Sequence, residues 1–396
     1  MPMSVAEEPA RDAAPGRLGR LALLILVHAV GTINFTLLLA FAPAVQQQLG
    51  LSNAGFGLLL AAYYGALLTA AFPAGWLVDR FALRTMLLLS HALMATGMLV
   101  IGCATAPAAI AAGLFICGLG YSLTNPSTAR AVLLWFAVRG RASAMSAKQT
   151  GVPIGGAIAA LAAAATSTVQ WQHVVIACAV LTLLAGAAYI RLDASVTAPR
   201  GSWLVDLGAL LGRPRLAGLN AGAALYTASQ TAFFAYTVLY ARSIGYSPAA
   251  AALALGAAHV ASVFGRIAWG QVSDRTLRSG RRASLVACGA LAVAALVALP
   301  VAAGGGAPFF FVAAAILGAT LGSHAGLGQT VAVEAVEPRL AGAAIGYVMF
   351  ATTLGLIAGP TTFGFLADIA GYGIAWLALA AATAAGAALY GVSMRN

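Results

Sequence analysis

The chain has 396 residues, of which 61% are hydrophobic and only 8% charged, with a formal net charge of +11. A soluble domain carries about 25% charged residues, so a chain this apolar cannot cover its own surface in water and its hydrophobic side chains must face lipid. Lys148 is the sole lysine among bases that fall mostly in short loops; this reads as membrane topology and excludes a nucleic-acid surface.

In chain order, residues 1–20 hold Glu7, Glu8, Asp12 and three arginines and read as a cytoplasmic tail. A bilayer core about 30 Å thick needs about 20 apolar residues in a helix. Twelve such stretches follow, near 21–43, 54–77, 85–105, 107–129, 143–165, 171–191, 217–240, 248–270, 283–303, 308–332, 341–365 and 370–391. Backbone groups in lipid must be satisfied within the segment, which predicts helices throughout. The first stretch is too long for a signal-peptide core and stays in place. The loops after spans 1, 3, 5, 9 and 11 contain no Arg or Lys, and the loop after span 7 contains only Arg242. Arg80, Arg84, Arg139, Arg141, Arg191, Arg213, Arg275, Arg281, Arg282 and Arg339 collect on the other side. That asymmetry predicts a multi-pass protein of the cell (inner) membrane with both termini cytoplasmic. The longest interspan stretch, 192–216, is a cytoplasmic linker between an N-terminal half (21–191) and a C-terminal half (217–396). Its amphipathic piece at 203–211 is expected to lie along the membrane surface.

The halves share a motif. Gly75 precedes Asp79-Arg80 by four residues in the loop after span 2, with Arg84 beyond. After span 8, Gly270 precedes Asp274-Arg275 by four, with Arg281 and Arg282 beyond. Repeated helical halves mark many secondary transporters. In these loops, the six-plus-six pattern and the linker, the chain resembles the major facilitator superfamily over essentially its whole length from residue 20. Ala82 and Leu83 stand where that family has a Gly and a base, and Leu114 stands where it places an Arg in span 4, before Gly118. The resemblance implies an all-α membrane fold of twelve transmembrane helices in two six-helix bundles around a central cavity that opens alternately to either side. Asp79, Arg80, Arg84, Asp274 and Arg275 then form the candidate gate, with carboxylates accepting N–H bonds at helix ends and Arg residues latching the bundles.

Charges inside spans cost about 2.5–3.5 kcal/mol each at the bilayer centre on insertion scales. Lys148 lies about two turns into span 5, Arg266 at a comparable depth in span 8 and Arg130 near the inner end of span 4; no Asp or Glu falls near the middle of any span. A cationic cavity without a carboxylate should attract anions. Gly265-Arg266 through Asp274-Arg275 also resembles span 8 of the oxalate and monocarboxylate carriers of that superfamily, whose Arg serves the substrate carboxylate. Asn34, Tyr63, Tyr64, Asn125 and Gln230 are further candidates to line the cavity, and His259 and His324 are candidate proton-linked groups. His28 and His91 are the other span histidines. The runs Gly151–Gly156 and Gly355–Pro360 predict close packing between the bundles. Cys103, Cys117, Cys178 and Cys288 have no ligand spacing, so neither metal nor disulfide is expected. No phosphate-binding Gly loop occurs, and the short loops offer no catalytic cluster. The expectation is a secondary active transporter, symporter or antiporter, for a small organic anion such as a carboxylate, coupled to protons or a counter-anion. It needs no cofactor or obligatory protein partner and is no enzyme. The competing expectation is an efflux carrier for neutral or anionic hydrophobic drugs.

Overall fold

The computed structural model describes residues 16–190, 210, 212–275, 280–301, 307–337 and 340–394. Residues 1–15 of the tail and, Leu210 aside, the linker piece at 203–211 lie outside the described residues.

Among the described residues every regular element is helical, as a chain in lipid requires. Span 1 is Arg17–Ala40 continued by Ala42–Leu49, span 2 Asn53–Arg80 and span 3 Leu83–Gly102. Span 4 is Pro107–Ser122 and Thr124–Trp135, span 5 Val138–Gln149 and Gly151–Ala165, and span 6 Trp171–Ala187. Span 7 is Pro214–Ser243, span 8 Pro248–Arg275, span 9 Gly280–Ala298, and span 10 Ala307–Thr320 with Ala325–Glu334. Spans 11 and 12 occupy Ala341–Ser393 and join at Gly371, whose φ of 79° only glycine adopts readily. Several helices outrun their sequence windows, because helical hydrogen bonding continues through polar residues such as Asp79 and Arg80 where hydropathy ends. The interruptions in spans 4 and 5 come just before Pro126 and Pro153, which lack the N–H that an unbroken helix needs.

The glycine runs show how the duplication is packed. A Cβ on Gly155 of span 5 would stand 2.2 Å from the Ala29 carbonyl oxygen of span 1, and one on Gly359 of span 11 would stand 2.2 Å from that of Ala228 in span 7. The same tight crossing therefore occurs once in each half. The expectation that these runs pack the bundles together holds for part of each: Gly151, Gly155, Gly355 and Gly359 pack inside a bundle, whereas Gly156 faces the His259 ring and Pro360 faces Gly57, each in the other half. Gly155→Ala and Gly359→Ala should each lower the thermal unfolding midpoint in detergent, by overpacking worth about 1–3 kcal/mol. Unchanged midpoints would mean that these helices part without cost.

The loops after even-numbered spans define an arginine-rich end and those after odd-numbered spans an arginine-poor end. At the arginine-poor end one hydrophobic cluster runs through both halves, uniting Leu37, Phe56, Leu60 and Ala159 with Phe233, Tyr236, Leu255 and Phe363. At the arginine-rich end it divides. Leu24, Val27, Leu83 and Val132 form one cluster, and Leu216, Leu285, Val331 and Val348 form another. The bundles are joined at one end and part at the other. Outside, Leu161, Leu181 and Leu184 are 61–65% exposed, as lipid-facing side chains must be.

Candidate functional site

The break in span 5 sets Lys148 against the break in span 4. Its side chain is 2% exposed, and its ammonium donates to Asn125 Oδ1 at 2.8 Å and Thr128 Oγ1 at 2.9 Å. Gln149 Nε2 donates to the same Asn125 oxygen at 3.3 Å. These partners are neutral, so the charge is solvated by oxygens without being cancelled. Arg266 comes from the other half, on span 8. It is partly exposed, and its Nε has no hydrogen-bond partner among the described residues. The guanidinium stands within electrostatic reach of the Tyr121 hydroxyl of span 4 and of the rings of His28, His259 and His324. His28 also lies within reach of Lys148. Two cations, one from each bundle, thus both bear on His28.

The other predicted lining residues divide. Asn125 joins the group through Lys148. Gln230 is partly exposed on span 7. Asn34 turns toward span 6, where its Oδ1 accepts from Cys178 Sγ at 3.2 Å and Thr182 Oγ1 at 3.0 Å. Tyr63 and Tyr64 are buried against Phe35, with the Tyr63 ring stacked on it at 4.3 Å. His259 stacks on Phe234 at 4.4 Å with its Nε2 unpartnered. Both His324 nitrogens are engaged, Nδ1 with the Leu321 carbonyl oxygen at 2.7 Å and Nε2 with Thr227 Oγ1 at 3.4 Å.

At the arginine-rich end, among the described residues, the side-chain contacts of the gate candidates and their neighbours run within one half. Asp79 is exposed, the Arg80 guanidinium lies 4.4 Å over the Trp76 ring, and Arg84 donates to the Ile190 carbonyl oxygen at 3.3 Å. Arg130 donates to the carbonyl oxygens of Val78 and Phe81 and so caps the end of span 2. Arg281 reaches Asp274 at 3.7 Å and Glu334 at 2.6 Å. The Arg275 side chain lies outside the described residues. Among the described residues, the contacts of Arg80, Arg84 and Asp274 are made within their own halves.

A clasp that sequence reasoning missed closes the arginine-poor end. Asp368, just past the span 11 window, accepts from the Asn53 backbone N–H at 3.0 Å, from Asn53 Nδ2 at 2.9 Å and from the Ala54 N–H at 2.8 Å. A carboxylate of the C-terminal half therefore caps the first turn of span 2 in the N-terminal half. Tyr236 donates to the Asn53 carbonyl oxygen at 2.7 Å, and Tyr372 donates to Asn53 Oδ1 at 2.7 Å. The available signal was that Asp368 is the single acid on the arginine-poor side.

A family model described as the Major Facilitator Superfamily matches residues 24–360. The uncharacterized MFS-type transporter Rv2994 of Mycobacterium tuberculosis is 26% identical over 340 residues, covering 84% of this chain and 76% of that protein. The probable galactarate/D-glucarate transporter GudP of Bacillus subtilis is 30% identical over 130 residues, covering 31% of this chain and 29% of its own. Among solved structures, a bacterial homologue of the human lysosomal transporter Spinster, in an inward-facing and unoccupied conformation, matches with a TM-score of 0.79. That match is 16% identical and covers 97% of this chain and 98% of the other, a likeness of fold.

Proposed function

The chain belongs to the major facilitator superfamily, and from that premise we propose that it carries a small organic anion, one with two acidic groups, by alternating access. The carrying observation is the pair Lys148 and Arg266. Each is a buried or half-buried cation from a different bundle, and among the described residues neither has a carboxylate partner. A dianion between them supplies the missing counter-charge. The Arg266 guanidinium suits a carboxylate held through two parallel hydrogen bonds, and Lys148 adds a point charge. The name of the Bacillus relative, a probable carrier of two dicarboxylates, supports this class.

On this reading the arginine-rich end faces the cytoplasm of the cell (inner) membrane, both termini are cytoplasmic, and the parted bundles open the cavity inward. The clasp at Asp368 holds the outer side shut. The cycle exchanges this state for one closed by the Asp79 and Asp274 loops, driven by protons or a counter-anion.

A thermal-shift screen of purified protein checks the cargo class. Oxalate or D-glucarate should stabilise the wild type and the His173→Gln variant, changed at an exposed residue of span 6, and stabilise Arg266→Ala far less. Stabilisation by neutral or cationic compounds alone would refute the anion reading and turn attention to drug efflux.

A further inference from the structure

His28, on span 1, has a tautomer fixed by its neighbour. Thr128 Oγ1 carries a single hydrogen, which it donates to the Thr124 carbonyl oxygen at 2.8 Å. Lys148 Nζ has no lone pair as an ammonium and donates to the same hydroxyl oxygen at 2.9 Å. His28 Nε2, 3.0 Å from that oxygen, must then donate as well, so the ring hydrogen sits on Nε2. Nδ1 is left as a lone pair, buried and without a partner among the described residues. Buried polar atoms are nearly always paired, so an unpartnered basic nitrogen beside a lone ammonium calls for a reason.

We propose that His28 Nδ1 is the proton-binding site of this carrier, filled when an anion sits between Lys148 and Arg266 and empty when it does not. The inference rests on the anion reading above and names the coupled ion and the atom that holds it. Among the described residues, two charged groups bear on the ring: Lys148 from span 5, through the shared Thr128 hydroxyl, and Arg266 from span 8. Tyr121 from span 4 packs beside Gly31, one turn beyond His28, and is neutral. His91 of span 3 and Tyr189 of span 6 bond to each other at 3.2 Å. Without an anion, a proton on Nδ1 makes a third cation beside two uncompensated ones, which both repel it. A bound dianion reverses that balance. By linkage, the anion raises proton affinity by the same factor as the proton raises anion affinity. The ring is 2% exposed, so a proton held there leaves only when the surrounding helices move, which ties its release to the change of state. The other two rings lack this arrangement. His324 has both nitrogens engaged. His259 is stacked on Phe234, and no hydrogen bond among the described residues links it to either cation.

The test uses the full chain in liposomes loaded with a pH-sensitive dye, with oxalate and D-glucarate as probes. For wild type, inward anion movement should carry protons with it, and an acid-outside gradient should drive accumulation several-fold. His28→Gln keeps an N–H donor for Thr128 and cannot titrate. It should still exchange labelled for unlabelled anion, yet show no proton movement and no response to the gradient. His173→Gln, exposed at the start of span 6, should behave as wild type. Four results overturn the proposal. Anion uptake without protons in wild type removes the coupling and leaves the anion reading intact. Gradient-driven uptake in His28→Gln moves the proton elsewhere. Loss of exchange in a His28→Gln protein of normal thermal stability makes the ring an anion ligand. Failure of wild type to exchange either anion removes the anion reading, and the coupling with it.

Discussion

Arg266→Ala is expected to cut D-glucarate uptake into liposomes by about thirty- to several-thousand-fold, while leaving folding intact. The magnitude follows from the usual cost of about 2–5 kcal/mol for truncating one partner of a buried, hydrogen-bonded charge pair, at tenfold per 1.4 kcal/mol. Folding should survive because the native guanidinium has no ion-pair partner among the described residues whose loss would strand a buried charge. Arg266→Lys restores the charge without the planar fork, so it should recover only part of the rate. Lys148→Met should also slow uptake. If the two cations hold one anion, the double variant should fall short of the product of the single effects, the mark of residues sharing a partner. Wild-type uptake in Arg266→Ala would exclude span 8 from the binding site.

The outline of this fold was legible because lipid leaves the backbone few choices. A run of about 20 apolar residues must be a helix, and the Arg-free loops order the helices by side, so span count and halves could be read directly. The cations could be read for the same reason: a charge amid apolar residues stands out, and Lys148 and Arg266 needed no structure to be noticed. The polar contacts were not legible. Asn34, Tyr63 and Asn125 are equivalent as polar span residues, yet the structure turns Asn34 toward Cys178 and Thr182, stacks Tyr63 on Phe35 and gives Asn125 to Lys148. Which face of a helix meets which neighbour is set by rotation about its axis, and nearly uniform hydrophobicity leaves that rotation unmarked. The packing role of Gly155 and Gly359 was visible as close approach, but not the partner helix. The clasp was hidden for a further reason. Asn53 and Asp368 lie 315 positions apart, and two of the bonds between them and Ala54 use backbone N–H groups that every residue carries.

That clasp supplies the second large expectation. Asp368→Ala removes the acceptor for three N–H groups at the start of span 2 and should shift the protein toward the state in which the arginine-poor end is open. Hydrogen bonds to a charged group contribute about 1.5–3 kcal/mol. The carboxylate is exposed, however, and water compensates much of its loss, so a net change of about 1–3 kcal/mol and a population shift of about 5- to 150-fold are expected. Spin labels at Gln47 of the N-terminal half and Ser243 of the C-terminal half, both exposed at this end, should report it as a longer distance in a background without the native cysteines. Protonation gives an independent check. Partial desolvation at the helix end pushes the Asp368 carboxyl up, but hydrogen bonds from the Ala54 N–H, the Ser52 side chain and Asn53 outweigh it and hold the group below the ordinary carboxylate value. A group lowered in the clasped state stabilises that state fully above its unclasped value and loses the effect as pH falls through the clasped one. Acid should therefore lengthen the same distance in wild type and leave it unchanged in Asp368→Ala. If the variant keeps the wild-type distance at neutral pH, the carboxylate does not hold this end shut, and closure rests on the apolar contacts around Phe56, Tyr236 and Phe363.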